Sequence, residues 1–156
     1  MMRVKTDSAA ETRSLGEKLA MQLKKGDVIL LFGEMGAGKS ELTRGIAGGL
    51  GIEGHVTSPT FTILQVYEGG RLPLYHFDWY RVADAQELYE LSMEEYLYGD
   101  GAAVVEWPER AQEAIPAQHL AIRLTSLGED QREMILEPVG GFRSVSGWLS
   151  GGEASV

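Results

Sequence analysis

Apolar residues recur along this chain with two different spacings. Leu15, Leu19 and Leu23 follow one another at every fourth position behind Ser8-Ala9-Ala10-Glu11, a capping-box pattern, and predict a helix with one apolar stripe that ends by Gly26. Residues 28–32 are instead an unbroken apolar run, Val-Ile-Leu-Leu-Phe, which predicts a central parallel strand covered on both faces. A glycine-rich turn follows, and then Leu42, Ile46 and Leu50 fall on one side of a helix predicted over 39–47, which Gly48, Gly49 and Gly51 stop. Residues 60–67 and 72–77, joined by Glu68-Gly69-Gly70-Arg71, predict an antiparallel hairpin. Asp84 and Ser92 each stand three residues before an acid, Glu87 and Glu95, and predict two short capped helices between 85 and 98. Residues 102–105 predict a second buried strand that ends at Glu106-Trp107-Pro108, and a short helix up to Ile115 stops before Pro116. A last hairpin is predicted from 120–127 and 132–137 around Gly128-Glu129-Asp130.

This order predicts a three-layer α/β domain with a mixed parallel and antiparallel sheet and β-hairpins. A length of 156 residues with 44% apolar content suits one self-sufficient core. Residues 1–138 are read as one domain. Residues 139–156, rich in Gly and Ser with Trp148 and Leu149 as the main apolar anchors, are read as a loosely attached tail.

Composition removes several kinds of chemistry. The chain has no cysteine, which excludes disulfides, thiolate nucleophiles and cysteine-bound zinc, and its 3 histidines (His55, His76, His119) are scattered. The start of the chain runs into polar residues and no window approaches the ~18 apolar residues of a membrane span, so a cytoplasmic protein without membrane attachment is expected. A net charge of −9, with no dense basic run, opposes direct binding to a polyanion. If the protein acts in RNA biology, a partner protein is expected to hold the RNA.

Gly33-Glu34-Met35-Gly36-Ala37-Gly38-Lys39-Ser40 satisfies the phosphate-binding P-loop pattern in full, between a predicted strand and a predicted helix. The glycines let successive amide N–H groups point at phosphate oxygens, and the first turn of the following helix adds its dipole. Lys39 is expected to reach the terminal phosphates and the Ser40 hydroxyl to ligate magnesium. The chain contains no asparagine, so the Asn-Lys-x-Asp signature of guanine recognition is absent and ATP is the expected nucleotide.

Such a loop normally works with a carboxylate at the end of a neighbouring strand, and two are available: Asp78 after residues 72–77, and Glu106 after 103–105. Each could equally be a strand end reaching solvent. Their aromatic neighbours, Trp79-Tyr80 and Trp107-Pro108, look more like a shaped site than a solvated rim, although aromatics are more often core. Thr57-Ser58-Pro59-Thr60 could place hydroxyls near a γ-phosphate as switch loops do, or form an ordinary capped turn. His76 alternates with Leu72 and Leu74 along its strand and is read as a satisfied core or surface residue outside the catalytic set.

Taken together, the P-loop, Ser58-Pro59-Thr60-Phe61-Thr62, His76-Phe77-Asp78-Trp79-Tyr80-Arg81, Glu87-Leu88 and Glu106-Trp107-Pro108 resemble the TsaE (YjeE) family in order and spacing, over about residues 12–132. The P-loop alone is generic, whereas the His-x-Asp-x-Tyr-Arg and Glu-Trp segments are particular to that family. The resemblance implies an ATPase needed for the threonylcarbamoyladenosine modification of tRNA, slow alone and working with TsaD and TsaB rather than modifying tRNA itself. It implies Mg2+ held by Ser40 and Glu106, and Asp78, Trp107 and Lys39 as residues important for hydrolysis. It further implies a nucleotide contact set of the loop residues Gly33 to Ser40 with Glu41, together with Thr12, in the neighbourhood of Leu15, and Arg132. Two departures are small: Ser40 stands where threonine is usual, which keeps the hydroxyl, and Trp79 where leucine is common.

The alternative is a small P-loop kinase acting on a small-molecule acceptor. Such kinases close an arginine-bearing lid over the phosphates, and here Arg110, Arg123 and Arg132 are widely spaced.

Overall fold

The apolar run Val28–Phe32 is the middle strand of a seven-stranded mixed sheet. The computed structural model describes residues 1–54, 56 and 62–149. Along the chain the elements are β1 (Met2–Thr6), α1 (Ala9–Gln22), β2 (Val28–Phe32), α2 (Lys39–Gly49), β3 (Leu64–Tyr67), β4 (Leu74–Asp78), α3 (Ala85–Glu90), α4 (Glu94–Leu97), β5 (Ala102–Glu106), a 3-10 segment (Pro108–Ala114), β6 (His119–Ser126) and β7 (Arg132–Val139). The sheet order is β1-β7-β6-β2-β5-β4-β3. β2, β4, β5 and β6 are parallel, and the antiparallel pairs β3/β4, β6/β7 and β1/β7 flank them.

Alternation along these strands divides the core between two faces of the sheet. Ile29, Leu31, Leu74, Val104, Leu120 and Ile122 pack with Leu15, Leu19, Leu42 and Ile46 of α1 and α2. Val28, Leu30, Tyr75, Phe77, Ala103 and Val105 pack instead with Leu88, Leu97, Ala111 and Ala114 of the opposite layer. The three-layer α/β arrangement with a mixed sheet is therefore as expected, because strands covered on both faces must be apolar at consecutive positions.

α1 and α2 touch nearly backbone to backbone. A β-carbon on Gly16 would lie 2.5 Å from the Leu42 carbonyl oxygen, and one on Gly45 would run into the Arg13 carbonyl. The Ser8 side chain caps α1 by accepting from the Glu11 amide, and the Glu11 carboxylate accepts in turn from Asp7 N–H at 2.8 Å. Asp84, Glu87 and Ala83 repeat that reciprocal arrangement at α3.

Four local expectations need correction. β1 is not foreseen from residues 1–5: it buries only Val4 and Thr6, and its partner β7 is more than a hundred residues away, with Val4 opposite Met134. Ser92 does not cap α4. It sits at φ 56 in the turn after α3, its N–H donating to Tyr89 O, and α4 starts from Met93 without a side-chain cap. The first hairpin strand begins at Leu64, because Ile63 adopts a left-handed φ of 69; Thr57-Ser58-Pro59-Thr60 and Phe61 lie outside the described residues. Residues 140–149 are not loosely attached. Phe142, Val145, Trp148 and Leu149 join the α1/α2 side of the core, and Arg143 makes a two-pronged ion pair with Asp27 at 2.9 and 2.6 Å. Arg143 also donates to Gln22 O, so one guanidinium ties this segment to both α1 and the start of β2.

Candidate functional site

Parallel pairing brings three strand ends to one edge of the sheet. Leu31 of β2 stands opposite Glu106 of β5, and Glu106 opposite Asp78 of β4. The loop after β2 therefore faces both acids, at the carboxyl ends of adjacent strands where open α/β sheets place their ligands. His76 and Asp78, two residues apart, lie on the same face of β4 as Leu74, the face covered by α1 and α2.

The loop itself enters α2 through a left-handed turn, with Gly36 at φ 82 and Gly38, the N-cap of α2, at φ 105. No L side chain adopts the Gly38 conformation without strain. Lys39 is then the first residue of α2, and its backbone carbonyl accepts from the buried Thr43 hydroxyl at 2.9 Å. The Lys39 side chain is only 6% exposed, and its ammonium has no hydrogen-bond partner among the described residues.

What holds that ammonium is an aromatic face. Nζ lies 4.0 Å from the centroid of the Trp107 ring. A desolvated contact of this kind is worth roughly 2 kcal/mol. Trp107 reaches there because its backbone is left-handed, φ 56 and ψ 49, directly after β5. For a bulky residue this costs on the order of 1–3 kcal/mol, which the surrounding fold must supply. Tyr80 packs edge-on against the indole at 5.0 Å, and the Arg110 guanidinium lies 5.2 Å from the Tyr80 ring, so the stack continues outward to the surface.

Burial pushes the Lys39 ammonium below its ordinary range, while the carboxylates of Glu106, Asp78, Glu109 and Glu34 pull it part of the way back. Met35, Gly36, Gly38, Lys39, Ser40, Glu41, Asp78, Glu106, Trp107 and Arg132 together enclose a cavity of about 350 Å3. A cation buried without an acceptor, backbone amides at a helix start, and two carboxylates on one wall suit a phosphate chain with a divalent ion.

The acids are held from behind. Asp78 is 4% exposed and its Oδ1 accepts from the Tyr80 amide at 2.9 Å. Glu106 is 5% exposed, and its Oε2 lies 2.6 Å from Nε2 of a His76 that is itself 2% exposed. His76 is thus a residue that sequence reasoning set aside. The available signal was its two-residue spacing from Asp78, which puts both side chains on one face of the strand.

The more distant candidates divide. Arg132 reaches the cavity wall, its guanidinium donating to the Gly128 and Gln131 carbonyls at 3.0 and 2.9 Å. It also lines a small recess beside Gly38, together with Glu41 and Thr12. The buried Thr12 hydroxyl is 2.8 Å from that of Thr6. Glu41 pairs with Arg13 at 3.0 Å and Arg44 at 2.8 Å, which holds the first turn of α2 against α1. Gly33, Glu34 and Ala37 lie behind the loop, where with Met35 and Trp107 they border a second hollow. Leu15 is a core residue under α1 and does not line the Lys39 cavity.

Comparison with known proteins gives one consistent answer. A family model described as "Threonylcarbamoyl adenosine biosynthesis protein TsaE" matches residues 6–134. The chain is 42% identical over 139 residues to the "tRNA threonylcarbamoyladenosine biosynthesis protein TsaE" of Bacillus subtilis, covering 89% of this chain and 87% of that one. It is 41% identical over 133 residues to the protein of the same name from Treponema pallidum, covering 85% and 98% respectively. Among solved structures, the "Crystal structure of Bacillus subtilus YdiB" superposes with a TM-score of 0.77 at 37% identity, covering 90% of this chain and 86% of that one.

Proposed function

This chain belongs to the TsaE family, and on that premise we propose that it serves threonylcarbamoyladenosine biosynthesis on tRNA as a magnesium-dependent ATPase of the cytoplasm. It works with TsaD and TsaB, and reaches tRNA only through them. The observation that carries the nucleotide part is the Lys39 ammonium, buried and without an acceptor among the described residues, inside a cavity walled by Asp78 and Glu106. A buried cation left unsatisfied costs free energy that an arriving phosphate oxygen would recover.

In this reading the amides of the 33–40 loop and Lys39 hold the phosphates, with Arg132 and Thr12 at the far end of the nucleotide. The hydroxyl of Ser40 and the carboxylate of Glu106 are the ligands for Mg2+, whose role is to neutralise charge on the transferring phosphoryl group. Asp78, fixed by the Tyr80 amide, orients the attacking water, and Trp107 keeps Lys39 placed and dry. Catalysis of this kind is positioning plus charge stabilisation, so a slow basal rate is expected until a partner completes the site. The net charge of −9 agrees with a protein that leaves the RNA to its partners.

The test is MgATP hydrolysis by the purified chain, alone and with TsaB and TsaD, with Lys39→Ala as the blank. Turnover that rises with the partners and disappears in the variant supports the proposal. Turnover indifferent to the partners but stimulated by a small-molecule acceptor would replace it with a kinase.

A further inference from the structure

His76 is a buried imidazole with one nitrogen occupied and one not. Nε2 meets Glu106 Oε2 at 2.6 Å, while Nδ1 is buried without a partner among the described residues. A carboxylate only accepts, so the proton in this bond belongs to the ring nitrogen. Leaving Nδ1 unsatisfied disfavours the fold, on a strand face where Leu74 and Val104 pack as plain hydrocarbon. The bond to Glu106 is what a histidine provides here and an apolar residue does not.

That bond ties one of the two oxygens of Glu106 back to β4 and takes up one of its lone pairs. Asp78 shows the same restraint, with Oδ1 engaged by the Tyr80 amide. The distinction matters for divalent ions, because Ca2+ readily takes both oxygens of one carboxylate whereas Mg2+ takes a single oxygen in a tight octahedron. We propose that His76 is a positioning residue that limits Glu106 to one metal-facing oxygen and so makes the site prefer a small octahedral cation, Mg2+, over Ca2+. This rests on the reading of Glu106 as a magnesium ligand.

The experiment measures binding of AMP-PNP, a non-hydrolysable ATP analogue, to the full chain by calorimetry in saturating Mg2+ or saturating Ca2+. Glutamine places its amide nitrogen where Nε2 stands, whereas asparagine reaches only the Nδ1 position. The two variants are thus alike in polarity and differ in the bond to Glu106. We expect the unmodified protein and His76→Gln to bind AMP-PNP more tightly with Mg2+ than with Ca2+, and His76→Asn to lose about tenfold of that preference. Equal Mg2+/Ca2+ ratios in His76→Asn and His76→Gln overturn the inference. So does an unmodified protein that binds equally well with both ions, a result that needs no variant to fold. Glu106→Gln separates the inference from the reading beneath it. If Glu106→Gln keeps the full Mg2+ preference, Glu106 is not the metal ligand and both fall. If Glu106→Gln loses it and His76→Asn keeps it, only the role of His76 falls.

Discussion

The Lys39 ammonium sits 4.0 Å from the centre of the Trp107 ring and makes no hydrogen bond among the described residues, so before any phosphate arrives the π-face and the nearby carboxylates are its support. Phosphate oxygens are far better partners than an indole, and their arrival should draw the charge away from the ring. We expect AMP-PNP to change the intrinsic tryptophan fluorescence, and the change to be absent in Trp107→Phe although Trp79 and Trp148 remain. An undiminished signal in that variant would show that the contact is not remade on binding.

Burial lowers the proton affinity of Lys39 in the folded protein below its unfolded value of 10.5. Between the folded and unfolded values the unfolded chain binds more protons, so this lysine weakens the fold most at neutral pH and least above about 10.5. Lys39→Met should therefore melt higher than the unmodified, nucleotide-free protein at pH 7, with the gap closing as pH rises toward that value. Thermal denaturation of both proteins across pH 7 to about 10.5 checks the sign. The same variant should show no added stability from AMP-PNP.

Asp78→Asn keeps an oxygen to accept from the Tyr80 amide and exchanges the other oxygen, with the charge, for an NH2 group. Turnover should fall on the order of 10²-fold if this carboxylate orients water. Unfolding in urea should change by less than about 1 kcal/mol, because the hydrogen bond survives.

Leu149 is fully buried near the end of the described chain. Leu149→Ala should destabilise the protein by about 2–5 kcal/mol, which equilibrium unfolding in urea will read directly. Arg143→Ala should also destabilise, because it leaves the buried Asp27 carboxylate without its two-pronged partner. Unfolding midpoints unchanged by both would mean that the segment 140–149 contributes no stability.

Elements written in continuous local pattern were readable from sequence. The run Val28–Phe32, the Ser8 and Asp84 caps, and the loop between Gly33 and Ser40 each specify their own conformation within a few residues. What escaped was decided elsewhere in the chain. β1 becomes a strand only because Met134 and Leu136 offer an edge, and the segment holding Phe142 and Trp148 packs only because α1 and β2 present Asp27 and an apolar face. In the site, Asp78 and Glu106 were legible as strand-ending acids, but their juxtaposition follows from β4 pairing parallel with β5. His76, read as a satisfied core or surface residue, is buried as its alternation with leucines suggests, but its bond to Glu106 was not legible, because nothing local reveals that Glu106 stands within reach.

At the crossing of α1 and α2, Gly16 and Gly45 leave no room for so much as a methyl group between the two backbones. The helix that starts with Lys39 is therefore seated without slack, and sliding it would drive carbonyl into backbone. The other wall is built from side chains, with Trp107 turned over Lys39 by a single left-handed residue and Tyr80 and Arg110 leaning on it from outside. One wall thus works as an anvil of two touching backbones, and the other as a stack that runs from Lys39 through Trp107 and Tyr80 out to the exposed Arg110.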